Sequence, residues 1–193
     1  YFLVEGTINA CNSLFYWLED HLNIPHKKMK WDERCEKTKT GGILVPDFTG
    51  IASPYWVQPK ETVFYKLNNT MKDEIIRAGM ESIGFFVHDI MQTLKKDGFE
   101  ITSIQSAGGG ARKPLLQFMA DLLDIPVKRS KLKDKTALGV FRLLFRNQFG
   151  EFPEITHSFQ ENFVPKMTAD QRKIKLDNWA KALIVAGVKT GQK

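Results

Sequence analysis

The chain has 193 residues, 42% of them hydrophobic and 26% charged, which excludes a disordered polypeptide and fits one globular domain able to bury a sizeable core. The formal net charge of +6 suits a polyanionic partner, but the basic residues are spread along the chain with local runs only at residues 26–30 and 128–135, so charge alone leaves nucleotide phosphate, acidic protein and nucleic acid open. Cys11 and Cys35 lack CxxC spacing and His21, His26, His88 and His157 form no ligand pattern with them, so a zinc site has no support and the thiols read as free. No apolar run approaches the roughly 20 residues of a membrane helix.

In chain order, residues 1–4 (YFLV) read as an apolar strand, and the absence of an initiator Met or a charged leader reads as a cut chain. Residues 6–22 place Ile8, Cys11, Leu14, Phe15, Leu18 and Leu22 at helical spacing, which predicts an amphipathic helix after that strand. A polar, Lys-rich loop is expected through Thr40, then a short strand at Ile43, Leu44 and Val45 ended by Pro46, then an ordered loop over residues 48–56, rich in Gly, Pro and aromatics. Thr70 is expected to cap a long helix whose apolar positions Ile75, Gly79, Ile83, Phe86, Val87, Ile90 and Leu94 recur at three and four residues, with Gly98 as its stop.

Residues 99–105 have the length and β-branched content of a strand, and Gly108, Gly109 and Gly110 lead from it into a helix with Pro114 in its first turn, running to about Leu123. Pro126 and Val127 reopen an extended segment, residues 136–145 are expected to be helical, and Thr168 with Gln171 caps a last helix carrying Leu176, Trp179, Leu183 and Ile184. Strands alternating with long helices predict an α/β fold with helices covering a sheet. Trp17, Phe85, Phe86 and Trp179 fall on helical faces and read as core. Lys128, Arg129, Lys131, Lys133 and Lys135 lack the aromatic interleaving of a single-strand nucleic-acid surface and read, like residues 27–30, as a solvated basic loop.

Three glycines between a strand and a helix let the backbone turn where a Cβ would obstruct it and let a ligand approach the main chain. The helix behind them points free N–H groups and a partial positive charge toward the turn. No Gly-Lys-Ser follows, so this is no P-loop, and Lys113 occupies the place of a dinucleotide fingerprint's last glycine. On the loop alone, a nucleotide cradle and a plain tight turn both stand.

Residues 45–56, VPDFTGIASPYW, resemble a signature segment of the FGGY carbohydrate kinases in its glycerol-kinase form, whose Pro-Tyr-Trp the sugar kinases usually lack. Residues 74–83, EIIRAGMESI, are similar to the family's second signature, and GGGAR at 108–112, QFMAD at 117–121, IPV at 125–127 and TALG at 136–139 follow in the family's order and nearly its spacing. The resemblance implies an actin-like, ribonuclease-H-like lobe with a mixed sheet covered by helices, residues 1–193 forming a C-terminal lobe without its first strands or the N-terminal lobe. It implies a cytoplasmic enzyme that binds ATP or ADP with Mg²⁺ and phosphorylates glycerol or a related polyol or sugar, with no nucleic-acid or membrane partner and with homo-oligomerisation left open.

The same resemblance assigns the adenosine side of the cleft to Asn12, Tyr16, Gly108, Gly109, Gly110, Arg112 and Lys113, and no metal ligand or catalytic residue to this chain. Asn12 and Tyr16 stand where the glycerol kinases carry Gly and Gln, and Arg112 and Lys113 stand where an Asn contacts the base. Val57-Gln58 replaces the Asp-Pro after the tryptophan, and Glu61-Thr62 replaces an Arg-Gly. A branched side chain at Gly109 is expected to strain the turn and fill the approach to the base. The family's general-base aspartate lies on the other lobe, so this polypeptide alone is expected to be inactive. A degenerate, non-catalytic lobe serving as an interaction module is the rival reading.

Overall fold

The computed structural model describes residues 3–48, 50–68, 70–132, 134–155 and 159–189. Its elements are α1 (Asn12–His21), α2 (His26–Met29), α3 (Trp31–Lys37), β1 (Ile43–Val45), β2 (Val63–Tyr65), α4 (Lys72–Lys96), β3 (Ile104–Ser106), α5 (Lys113–Leu123), β4 (Val127–Ser130), α6 (Lys135–Phe149), β5 (Phe159–Phe163) and α7 (Ala169–Val185). β1 and β2 form an antiparallel pair. β3, β4 and β5 form a mixed sheet in that order, β3 parallel to β4 through Ile104 opposite Val127 and β5 antiparallel to β4 through Phe163 opposite Val127. The result is α/β, as the alternation of patterns predicts.

α4 is the central helix because its apolar residues surround most of its first four turns. Ile75, Ile76, Met80, Ile83, Phe85 and Phe86 are all buried, meeting α1 and α3 on one side and α5, α7 and β1 on the others. Gly84 sets the α4–α5 approach: a Cβ there would lie 2.6 Å from Phe118 Cδ1, so the Phe118 ring occupies the space a side chain would take. On the far side Trp179 of α7 stacks on Phe85 at 4.9 Å and meets Phe86 edge-on at 5.0 Å. Its indole Nε1 donates to Asp89 Oδ2 at 2.6 Å, an oxygen that also accepts from the Tyr55 hydroxyl at 2.8 Å.

One ionic group is set into this packing. The Glu81 side chain, 2% exposed, accepts from Arg77 Nε at 2.7 Å and Lys175 Nζ at 2.5 Å. Arg77 also donates to the Cys35 carbonyl and Lys175 to the Thr40 carbonyl. A buried carboxylate is tolerated when it is paired and its partners are themselves hydrogen-bonded, and here the pairing joins the α3 end, α4 and α7.

Several expectations hold and several need correction. β1, the ordered loop after it, α4, α5 with Pro114 in its first turn, α6 and α7 with a capping box between Thr168 and Gln171 fall where the sequence predicts them. Phe85, Phe86 and Trp179 are core and Trp17 packs against it. Tyr1 and Phe2 lie outside the described residues, and Leu3 and Val4 are exposed and in no strand; the segment is held instead where Thr7 and Ser53 exchange hydrogen bonds. The first helix begins at Asn12 rather than near Gly6.

The Lys-rich stretch is not a loop. It carries α2 and α3, because Met29, Trp31 and Cys35 bury while Lys30 and Glu33 face water and Arg34 pairs with Asp73 of α4. Thr70 does not cap α4: its hydroxyl donates to Asn68 Oδ1 and the N-cap is Met71, with no side-chain cap bond. Residues 99–103 are not strand, since backbone pairing starts only where Ile104 meets Val127. Lys128 and Arg129 belong to β4 rather than to a basic loop, and Lys133 and His157 of the earlier patterns lie outside the described residues.

Candidate functional site

The glycine turn between β3 and α5 faces the N-terminal half of α1. Gly108 takes φ +90°, a conformation that L side chains rarely adopt, and the chain then runs through Gly109 and Gly110 to Arg112 at the α5 N-cap. Gly109 itself has open space around it and a φ outside the left-handed region, so the expected strain belongs to Gly108 and not to Gly109. Gly110 lies against α1, its Cβ position 3.6 Å from Asn12 Oδ1 and 3.7 Å from Cys11 Sγ.

Between the turn and the short helices α2 and α3 opens a cleft of about 210 Å³. Asn12, Tyr16 and Glu19 of α1 line one wall, Gly109 and Arg112 another, and His26 and Trp31 a third, with Phe15 at the base. A shallower groove of about 430 Å³ continues from it past His26, Trp31 and Arg112 to Lys30, Asp32 and Glu33. The Arg112 guanidinium lies over the Phe15 ring at 5.2 Å and donates to Asp32 Oδ1 at 3.2 Å. Its Nε is buried and has no hydrogen-bond partner among the described residues. Phe15 meets Trp31 edge-on at 4.8 Å. Glu19, whose side chain is 11% exposed, accepts through Oε1 from His26 Nδ1 at 2.6 Å and from Trp31 Nε1 at 3.3 Å.

Of the seven residues singled out from the sequence, Asn12, Tyr16, Gly109 and Arg112 line this one cleft, and Gly108 and Gly110 shape the turn beside it. Lys113 does not join them. Its ammonium pairs with Glu161 Oε1 of β5 at 2.6 Å, drawn off to the sheet. Phe15, Glu19, His26 and Trp31 were missed. Glu19 is three residues from Tyr16 and seven from Asn12, so the helical period of α1 already puts it on their face. His26 and Trp31 were hidden because the segment carrying them reads as a loop.

The cleft offers flat aromatic faces, a guanidinium, a carboxylate acceptor and an open stretch of main chain, a set suited to a planar heteroaromatic group with an anionic tail. Cys11, beside the turn, has its thiol pushed up by burial, and burial pushes Cys35 up to about 12, so neither is a thiolate at neutral pH. Among the described residues no group of three His, Cys, Asp or Glu is placed to hold a metal ion, and no helix is long and apolar enough to cross a membrane.

Residues 1–147 match the C-terminal domain model of the FGGY family of carbohydrate kinases. Glycerol kinase of Enterococcus casseliflavus is 32% identical over 192 residues, covering 95% of this chain and 38% of that protein, and a glycerol kinase of Coxiella burnetii is 32% identical over 188 residues, 93% and 38%. This chain therefore spans a little over a third of the length of the curated relatives it matches. Among solved structures, Plasmodium falciparum glycerol kinase with ADP superposes with a TM-score of 0.72 at 25% identity, over 93% of this chain and 37% of that one. Gluconate kinase from Lactobacillus acidophilus superposes with a TM-score of 0.77 at 19% identity, over 94% and 39%, a likeness of fold alone. The actin-like, ribonuclease-H-like lobe expected from the motifs is thus the fold observed, and the chain belongs to the FGGY family of carbohydrate kinases, where it is related to the glycerol kinases through the C-terminal domain.

Proposed function

We propose that this chain supplies the adenosine side of the nucleotide site in a cytoplasmic, ATP-dependent kinase of glycerol or a related polyol. The observation that carries the reading is the convergence of Asn12, Tyr16, Gly109 and Arg112, chosen on sequence from two distant segments, on one cleft at the glycine turn. The relatives named glycerol kinase and the solved glycerol kinase with ADP support both the nucleotide and the acceptor class.

In this reading ATP supplies the phosphoryl group, and Mg²⁺ neutralises charge on its phosphates. Tyr16 gives the base an apolar face, Phe15 supports Arg112 from below, Asn12 offers an amide that can donate and accept, and the main chain at Gly109 lets the ribose end approach closely. Arg112, fixed by Phe15 and Asp32, puts a positive charge at the cleft mouth toward the phosphates. The acceptor, the general base and the rest of the phosphate site belong to an N-terminal lobe, so this chain by itself does not turn over, because phosphoryl transfer depends on positioning donor, metal and acceptor together.

A second reading, a degenerate lobe that binds a partner without catalysis, draws support from two observations. The cleft of about 210 Å³ is smaller than the roughly 300–1,000 Å³ of most ligand pockets, and Lys113 is committed to Glu161. An ADP-release assay on the full-length protein that carries this chain, run with glycerol and with other polyols, separates the two. Glycerol-dependent turnover that disappears when the chain is expressed alone is the expected result. A full-length protein that neither turns over nor binds ADP by calorimetry supports the degenerate lobe.

A further inference from the structure

The cleft contains a pair of rings that the family motifs do not account for. Tyr16 on α1 and His26 at the start of α2 face each other nearly parallel, with an interplanar angle of 23° and centroids 6.4 Å apart. That separation lies within the range of paired rings, so a planar guest between the two faces, which needs about 7 Å for two carbon–carbon contacts of about 3.5 Å, enters only as the rings part. Both side chains are free to part, since Tyr16 is 61% exposed and the His26 side chain 68%.

His26 is nevertheless oriented. Its Nδ1 is held by Glu19 Oε1, which the Trp31 indole also reaches, so the imidazole is anchored at one edge while its face stays open to Tyr16. The anchor sits on α1, the helix that carries Tyr16, and three residues further along it, so both sides of the gap are fixed to one rigid element.

The geometry points to His26 as a base-stacking residue that closes over a nucleobase opposite Tyr16, with Glu19 as the positioning residue that aims its ring. This rests on the nucleotide reading of the cleft and deepens it. The guest is a planar purine ring held by its two faces, while Arg112 and the glycine turn meet the sugar and phosphates at the open end. Stacking of this kind tolerates any flat ring at the His26 position, because it uses the π-face and not a hydrogen bond.

The test is calorimetric titration of the full-length protein with ADP. Replacing His26→Ala is expected to weaken ADP about tenfold, and His26→Phe, which keeps a ring but cannot bond Glu19, to restore most of it. Glu19→Ala, which removes the acceptor, is expected to cost part of the same factor alone and little further in the His26→Ala background. Unchanged ADP affinity in His26→Ala, or a loss that His26→Phe fails to recover, overturns the stacking role, and an unchanged Glu19→Ala overturns the positioning role. These results leave the nucleotide reading standing, whereas a parent protein that does not bind ADP overturns that reading and this inference with it.

Discussion

α4 and α6 both repeat apolar residues at three and four positions, yet α4 buries its residues from Ile75 to Phe86 with few exceptions and α6 buries none. Val140, Phe141, Leu143, Leu144 and Phe149 of α6 face solvent. Its phenyl rings touch mainly one another, Phe141 with Phe145 at 5.9 Å and Phe145 with Phe149 at 4.5 Å, while Arg142 and Arg146 lie over Phe152. Period fixes which stripe of a helix is apolar. Burial depends on a second surface to meet that stripe, and α4 finds it in five other elements.

The sharpest way to break the contrast is to remove a ring from the packed side. Phe118→Ala, next to Gly84 and Phe85, is expected to lower unfolding stability by about 3–5 kcal/mol in a urea titration. A loss under about 1 kcal/mol would show that the α4–α5 seam can collapse around the gap. Glu81→Ala comes next, at about 3 kcal/mol, because it leaves Arg77 and Lys175 buried without their carboxylate. Glu81→Met paired with Lys175→Met is expected to recover part of that loss.

Gly108→Ala tests the turn between β3 and α5. Its φ of +90° places the expected cost at about 1–2 kcal/mol, and the same change at Gly109 is expected to be nearly neutral in stability. On α6, Leu144→Gln is expected to change stability by no more than about 0.5 kcal/mol. A loss of 2 kcal/mol or more in the full-length protein, on the scale of about 2–5 kcal/mol for core deletions, would mean that another part of the molecule covers this face.

The smallest effect is a pH dependence at the sheet. The Lys113 ammonium, hydrogen-bonded to Glu161 and helped by Arg129, holds that carboxyl below its ordinary value. A lowered folded value means stability that is present above the unfolded pKa of about 4.3 and is lost as pH falls through the folded one. Glu161→Gln should therefore flatten a shallow acid limb that sets in below about pH 5, without altering stability once the carboxyl is protonated in both states. An acid limb identical in both proteins would remove this pair from the account.

Legibility followed the same division. α4, α5 and α7 could be read because long periods, Pro114, Gly98 and the Thr168–Gln171 box are local signals whose meaning does not depend on distant partners. β2 and β5 escaped because three- and five-residue strands are defined by what they pair with, Tyr65 with Ile43 and Phe163 with Val127. The same holds for residues 99–103, whose strand-like composition has no neighbour to bond. In the cleft, Asn12, Tyr16, Gly109 and Arg112 were legible through family motifs, whereas His26 and Trp31 sit on helices of four and seven residues, too short to show a period. Lys113 reads like its neighbour Arg112 in sequence, and only the position of Glu161 across the sheet separates their roles.

Trp179 carries a consequence for where the folded unit is cut. The family match ends at residue 147, but the indole at 179 stacks on Phe85, meets Phe86 edge-on and satisfies Asp89 from a helix outside the matched span. A polypeptide trimmed to the end of the family match would leave two central phenylalanines facing water and strip Lys175 from Glu81. Expression trials that stop at residue 147 should give less soluble material than those that keep the chain through Val188, itself buried.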